Sequence, residues 1–174
     1  MTTRQPPPQI VIRPIEASDA AALVAFHTEL SSDSTRFRYF SAHPRLSDGE
    51  IERFTHVDHR GREALVALDG DEIVGVARYE RLESPAEAEV AFVVADRWQH
   101  RGIGTELLAE LATRAREEGV TQLVADTLFE NRAMIAVFEQ SGFTLRRSHD
   151  HGVVHFVMAL PPDAVAGSGP REHG

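Results

Sequence analysis

Residues 99–104 are the part of the sequence whose residue types best fit anion binding. This segment, Gln-His-Arg-Gly-Ile-Gly, follows a strand-like apolar run and precedes an amphipathic helical pattern. Glycine lets a backbone approach an anion closely, and the free N–H groups and dipole of a helix start favour negative charge. We therefore expect a pyrophosphate-binding turn, with Arg101 as an added cation. The spacing of Gly102 and Gly104 also fits close packing of a helix start against a sheet.

Two other phosphate-binding motifs are excluded by the same segment. A Walker loop requires a Gly-Lys-Ser/Thr ending, which is missing here. A dinucleotide-binding fingerprint requires a third glycine, whereas position 107 is leucine.

Glu89 is the candidate proton acceptor. Strand alternation over residues 88–94 places its carboxylate on one face with Ala91 and Val93, which is an unusual neighbourhood for a charge. A carboxylate whose pKa is raised by burial can act as a general base at neutral pH. A strand rise of about 3.3 Å per residue puts Glu89 roughly 20 Å from the glycine turn. The alternative is a glutamate that faces water.

Hydrophobic periodicity predicts the elements of the first half. Ser18 is a candidate N-cap, Ser47 and Glu50 form a candidate capping box, and Asp69-Gly70 predicts a hairpin turn. In chain order we expect a strand at 10–13, a helix to about residue 30, a helix after Ser47, and strands at 64–68, 73–79 and 88–94.

The second half alternates helices and strands. A helix is expected from Gly102 to a C-cap at Gly119, and another from Asn131 to about Gly142. Strands are expected at 123–127, 143–147 and 153–160. The predicted fold class is α/β, with a mixed, mainly antiparallel sheet and helices on both faces.

Composition limits the function classes. The 174 residues fit one domain, expected at 9–160 between disordered tails at 1–8 and 161–174. Without cysteine, neither disulfides nor a thiolate metal site can form. The formal charge of −9 argues against nucleic-acid binding. The lack of a long apolar stretch or a signal peptide predicts no membrane association and a cytoplasmic protein.

No metal site is expected either. His149, His151 and His155 cluster on a predicted terminal hairpin, but no further ligand follows at a recognisable spacing.

Two motifs in order resemble the GNAT acetyltransferases. Gln99-x-x-Gly102-x-Gly104 is similar to their acyl-CoA pyrophosphate signature, and Glu130-Asn131 with residues 138–143 is similar to their second helix. The resemblance implies the GNAT fold and acetyl-CoA as co-substrate. It assigns cofactor contacts to Phe92, Val93, Val94, Gln99, His100, Arg101, Gly102, Ile103, Gly104, Thr105, Asn131 and Phe138.

A narrower resemblance involves residues 48–58, 64–79 and 88–96, which look like the catalytic domain of bacterial Pat-type protein lysine acetyltransferases. It implies Glu89 as general base and a protein lysine as acceptor, for example on an acyl-CoA synthetase. Acidic residues near the cleft would favour a lysine in a basic setting over an anionic metabolite. A small-molecule amine, or a non-catalytic acyl-CoA-binding sensor, remain alternatives. The sequence does not determine the oligomeric state.

Two positions leave their role open. Many GNAT members carry a tyrosine at the position of Phe138 as general acid, whereas phenylalanine has no proton to give. A thiol pKa near 8.5 lets the thiolate leave unassisted, and the other interpretation is loss of catalysis. Asn131 is either a cofactor contact or a helix N-cap.

Overall fold

The fold is a seven-stranded sheet with helices on both faces. The computed structural model describes residues 9–162, so the predicted tail at 1–8 and nearly all of that at 161–174 lie outside the described residues. The strand order is β1-β2-β3-β4-β5-β7-β6, and all neighbours are antiparallel except β4 and β5. The elements are β1 (Ile10–Pro14), α1 (Ala20–Glu29), α2 (Ser32–Tyr39), α3 (Asp48–Thr55), β2 (Arg62–Asp69), β3 (Glu72–Arg81), β4 (Glu87–Val94), α4 (Ile103–Glu117), β5 (Gln122–Leu128), α5 (Arg132–Glu139), β6 (Thr144–Asp150) and β7 (Val153–Ala159).

Two apolar cores hold the helices on the sheet. On one face Leu107, Leu108 and Leu111 of α4 are buried in a cluster that includes residues of α5 and all the central strands. On the other face Leu23 and Phe26 of α1 pack in a smaller cluster over β2 and β3. The prediction of a mixed, mainly antiparallel α/β sheet with helices on both faces is confirmed. In the described part, no helix is long and apolar enough to cross a membrane.

Several local signals are confirmed. Ser47 and Glu50 form the expected capping box at the start of α3. The Asp69-Gly70 turn joins β2 to β3, with Gly70 in the left-handed region at φ 61°. Gly119, at φ 82°, follows the last residues of α4.

The start of the first helix differs from the prediction. Ser18 is not an N-cap, since it lies inside a short 3₁₀ turn that precedes α1. Asp19 organises this turn instead: its carboxylate accepts a hydrogen bond from the N–H of Glu16 at 2.8 Å and pairs with Arg13 at 2.8 Å. Asp19 occupies the N-cap position of α1 without a side-chain capping bond, and its carboxylate instead links the turn to Arg13 of β1.

Helix α2 has no counterpart in the sequence prediction. Its sequence, Ser-Asp-Ser-Thr-Arg-Phe-Arg-Tyr, lacks an apolar stripe, so periodicity gives no signal. Ser31 caps it by accepting a hydrogen bond from the N–H of Ser34 at 3.1 Å. The helix contacts both β4 and β5, and it lies where these strands begin to separate.

The parallel pair β4–β5 is short. It consists of Glu87 with Gln122, Ala88 with Leu123 and Glu89 with Val124. Beyond Glu89 the two strands are no longer paired, although both continue. The sheet therefore splits along this line, and the split creates the site described next.

Candidate active site

A cavity of about 660 Å³ lies beside the end of β4, where this strand is no longer paired with β5. Its walls are the end of β4, the turn that follows, the start of α4, one side of α5 and residues of α2. Beyond Glu89 the edge of β4 that faces the split has no strand partner. Because unpaired backbone groups require hydrogen-bond partners, this edge can bind an extended ligand that carries amides.

The space beside the Cα atom of Gly102 is open. The residue stands at φ 85° as the N-cap of α4, and a Cβ there would meet nothing within 4 Å. The first N–H groups of α4 point from this end without partners inside the helix. The backbone at Gly102 is therefore open to close approach by an anion.

Gly104 serves a different purpose. A Cβ on this residue would lie 3.2 Å from Cγ2 of Val137 and 3.5 Å from Cε2 of Phe92. Close packing, which the sequence analysis left as the alternative for the pair, thus applies to Gly104. It lets the start of α4 sit directly against α5 and β4.

Gln99 anchors the turn through its side chain. Its amide nitrogen donates to the carbonyl oxygen of Val94 at 3.1 Å and to Oγ of Ser34 at 3.4 Å. His100 is next in the chain and adopts a left-handed φ of 60°. The glutamine therefore fixes the path of the backbone into the glycine turn.

Asp96 ties α2 to the end of β4. Its carboxylate accepts hydrogen bonds from the N–H and Oγ of Ser31 and from Oγ of Ser34, at 2.7 to 3.1 Å. Burial alone would raise the pKa of Asp96, but these hydrogen bonds outweigh it and hold the pKa below its ordinary value. The pairing joins residues more than sixty positions apart and had no sequence signal.

Most of the predicted cofactor residues line the cavity. Arg101 does not, because its guanidinium stacks over the ring of Trp98 at 4.9 Å. Phe138 does not either: it is 2% exposed, and its ring packs on Phe92 and Phe156 in the core. The predicted residues that do line it are Phe92, Val93, Val94, Gln99, His100, Gly102, Ile103, Gly104, Thr105 and Asn131.

Asn131 is the N-cap of α5 and also lines the cavity. Its Oδ1 accepts a hydrogen bond from the N–H of Met134 at 3.2 Å, which makes it the N-cap of α5. It also lines the cavity, and its amide nitrogen has no hydrogen-bond partner among residues 9–162.

Further cavity residues escaped the sequence analysis. Those of α2 gave no signal because the helix itself was not predicted, and those of α5 were interpreted as core. They are Ser31, Asp33, Ser34, Phe37, Arg38, Asp96, Trp98, Arg132, Ala133, Met134, Ala136, Val137 and Gln140.

Glu89 is exposed, so the expectation of a buried carboxylate is wrong. Ala91 and Val93 on the same face are only half-buried, because this end of the face is incompletely covered. Glu89 does not line the 660 Å³ cavity. It belongs to the last pair before the split, opposite Val124, and lies three residues before Phe92, where β4 first lines the cavity.

Glu89 differs from the other carboxylates expected near the cleft. Glu87 accepts a hydrogen bond from Gln122 at 2.7 Å, Asp126 from His155 at 2.5 Å, and Glu130 from Arg36 at 2.8 Å. The carboxylate of Glu89 makes neither a hydrogen bond nor an ion pair within the described part of the chain. Its oxygens are therefore available to a substrate.

The histidine cluster has other contacts. His155 bonds to Asp126, His151 to Asp150, and His149 stacks with Phe129. Between residues 9 and 162 no three potential ligand side chains are grouped so that they could hold a metal ion.

Comparison with known proteins identifies the family to which this fold belongs. The family model described as acetyltransferase (GNAT) domain matches residues 9–144. The chain belongs to the GNAT acetyltransferase family. The predicted class of enzyme, an acetyl-CoA-dependent N-acetyltransferase, is thereby confirmed.

The relatives of this GNAT chain include Pat-type enzymes. It is 31% identical over 154 residues to acetyltransferase Pat of Mycolicibacterium smegmatis, covering 87% of this chain and 46% of that protein. The chain thus spans about half the length of this curated relative. The crystal structure of the GNAT domain of S. lividans PAT superposes with a TM-score of 0.81 at 39% identity, covering 86% of this chain and 89% of that one.

The GNAT fold also extends to more distant proteins. A phosphinothricin acetyltransferase from Sinorhizobium meliloti, solved in complex with AcCoA, has a TM-score of 0.72 at 20% identity. The match covers 93% of this chain and 94% of that one. At this identity the likeness shows the shared fold.

Proposed function

We propose that this GNAT enzyme transfers an acetyl group from acetyl-CoA to the amine of a protein lysine, with Glu89 as general base. The observation that carries the proposal is the split of the sheet directly after the Glu89–Val124 pair. One end of the split carries the open turn at Gly102, and the other begins at a carboxylate without a partner in the described residues. An extended thioester would connect the two ends.

The cavity suits acetyl-CoA. The backbone at Gly102 and the first N–H groups of α4 would hold the pyrophosphate. The unpaired edge of β4 at Val93 and Val94 would bond the amides of the pantetheine arm and polarise the thioester carbonyl. The amide nitrogen of Asn131 offers a further donor. The AcCoA complex of the S. meliloti enzyme, which shares the fold, supports this use of the cleft.

The reaction is a direct transfer. A lysine amine has a pKa of about 10.4, so it must lose a proton before it attacks. Glu89 accepts that proton, directly or through one water, as a new N–C bond forms and the C–S bond breaks. The electron pair of the broken bond leaves with the sulfur. Position supports Glu89 as the base, because its carboxylate has no partner between residues 9 and 162 and lies beside the start of the split.

Protonation of the leaving thiolate does not involve Phe138. The ring of Phe138 is enclosed by Phe92 and Phe156 and carries no acidic hydrogen. A thiolate whose conjugate acid has a pKa near 8.5 is a good leaving group and can take its proton from water.

The acceptor is proposed to be a lysine on a folded protein, with an AMP-forming acyl-CoA synthetase as the first candidate. The Pat-type relatives at 31% and 39% identity support this acceptor class. The exposure of Glu89 supports it too, since a lysine on a bulky protein reaches an exposed base more easily than a buried one.

In the test, the enzyme is incubated with labelled acetyl-CoA and a purified acyl-CoA synthetase. A parallel incubation replaces the synthetase with a panel of free amines. We expect label on one synthetase lysine, and labelling at least about 10²-fold slower with Glu89→Gln. Acetylation of a small amine with the synthetase left unmodified would show that the acceptor is a small amine and not a protein lysine. Tight acetyl-CoA binding without transfer to any amine would favour the non-catalytic sensor.

A further inference from the structure

Two arginines without carboxylate partners lie side by side next to the cleft. Arg38 of α2 and Arg78 of β3 line one small pocket together with Tyr39, Phe54 and Val93. Neither guanidinium makes a hydrogen bond or an ion pair with any residue from 9 to 162. Their described contacts are rings: Arg78 stacks over Phe54 at 3.8 Å and Arg38 over Tyr39 at 4.8 Å.

Two other half-buried arginines, Arg13 and Arg114, have acidic partners. Arg13 pairs with Asp19 at 2.8 Å, and Arg114 lies 3.6 Å from Glu63. A cation removed from water usually needs such a partner, because its lost hydration must be replaced. Arg38 and Arg78 lack this compensation within the described residues.

The two charges also oppose each other. Burial, and then the charge of Arg38, lower the pKa of Arg78 to about 9. Burial likewise lowers the pKa of Arg38, which the charge of Glu89 partly offsets. Both side chains still carry their charge at neutral pH. An anion between them would relieve their mutual repulsion and replace lost hydration.

The pair lies beside the proposed acetyl-transfer site. Arg78 is the cross-strand partner of Ala91, which follows Glu89 by two positions on β4. Arg78 and Glu89 therefore lie on the same face of the sheet. Arg38 and Val93 line both the 660 Å³ cavity and the small pocket. Of the two carboxylates whose charges act on this pair, Glu80 pairs with Arg53, and Glu89 is the proposed base, which makes no ion pair with either arginine in the described residues.

We propose that Arg38 and Arg78 bind a carboxylate of the acceptor, so that the enzyme selects amines with a carboxylate close by. The pocket that both side chains line, about 10 Å³, is the size of one water molecule, so it admits one carboxylate oxygen and not a whole substrate. Guanidinium groups match the two oxygens of a carboxylate in geometry and charge. The inference rests on the proposed function, and it opposes the sequence-based expectation that anionic acceptors are rejected.

The carboxylate can belong to an acidic side chain next to the target lysine or to a small amino acid. The test therefore has two arms: a lysine peptide with a neighbouring glutamate against the same peptide with glutamine, and 5-aminopentanoate against pentylamine. We expect the wild type to prefer the acidic member of at least one pair by about tenfold or more in kcat/KM. A preference in the peptide arm alone assigns the site to protein acceptors, and one in the amine arm alone to small acceptors.

Arg78→Met should remove most of that preference, whereas Arg78→Lys should keep part of it because the charge remains. Arg38→Met is the second variant, and thermal melts establish that each is folded. Equal rates for both members of both pairs, with acetylation intact, would overturn the inference and leave the proposed function standing.

A binding measurement covers the case in which no amine is acetylated and the proposed function fails. Glutarate titrated into the wild type by calorimetry should bind, and Arg78→Met should abolish that binding. Absence of glutarate binding to the wild type would overturn the carboxylate site independently of turnover.

Discussion

Gly104 packs directly against Val137, so that a Cβ atom on the glycine would lie 3.2 Å from Cγ2 of the valine. This contact joins the first turn of α4 to the middle of α5. Gly102, two residues earlier, has open space where its Cβ would be. The sequence analysis treats the two glycines as one pair, whereas their surroundings predict two different outcomes for a substitution by valine.

Gly104→Val should mainly destabilise the protein, by about 1–3 kcal/mol, because it overfills a closed contact. Gly102→Val should also cost about 1–2 kcal/mol through its left-handed backbone, but it should in addition block the approach of phosphate and weaken acetyl-CoA binding. Chemical denaturation and calorimetry measure the two effects. A Gly104→Val protein as stable as the wild type would contradict the packing role.

Glu89→Gln should lower acetyl transfer at neutral pH by about 10²- to 10⁴-fold and leave acetyl-CoA affinity unchanged. The deficit should narrow as pH rises, because more acceptor amine is already deprotonated. Glu87→Gln is the matched control on the same strand and face, and should cost far less because Glu87 is bonded to Gln122. Equal losses in both variants would remove Glu89 as the base.

Phe138→Tyr should cost stability rather than restore a general acid. The side chain is 2% exposed, so a hydroxyl group there would be buried among aromatic rings. Burying an unpaired hydroxyl costs about 1–3 kcal/mol, while turnover per folded molecule should change little. Thermal melts and kcat measure the two effects. A large gain in kcat would show that the enzyme lacks a functional acid.

Stability should fall in mild acid because of His27. This side chain is 4% exposed, and its Nε2–H donates to the carbonyl oxygen of His43 at 2.7 Å. Burial lowers the pKa of His27 below its ordinary 6.5. The unfolded chain therefore binds more protons below about pH 6.5, and the free energy of unfolding decreases as pH falls through that range.

Substitution tests this assignment. His27→Gln should flatten the pH dependence of unfolding between about pH 5 and 6.5, even though it lowers stability at neutral pH. His149→Gln, which changes an exposed histidine on β6, should leave the slope as in the wild type. An unchanged slope in His27→Gln would assign the acid sensitivity to another group.

The sequence by itself determined the elements that carry local signals. Ser47 with Glu50 starts α3, the Asp69-Gly70 turn sets the hairpin, and Asn131 caps α5. Each depends on side chains within a few residues of the backbone groups they satisfy, so the order of residues is sufficient. The same is true of the glycine turn before α4 and of the family motifs around it.

Tertiary structure alone decided the remaining features. Helix α2 lacks an apolar stripe and is held by Asp96, more than sixty residues away. Strand alternation predicted which face of the sheet Glu89 lies on, but it could not predict what covers that face. In the structure the residue is exposed. Arg38 and Arg78 come together from a helix and a strand forty residues apart in sequence. In each case the deciding contact is between distant segments, and local periodicity carries no information about which segments will meet.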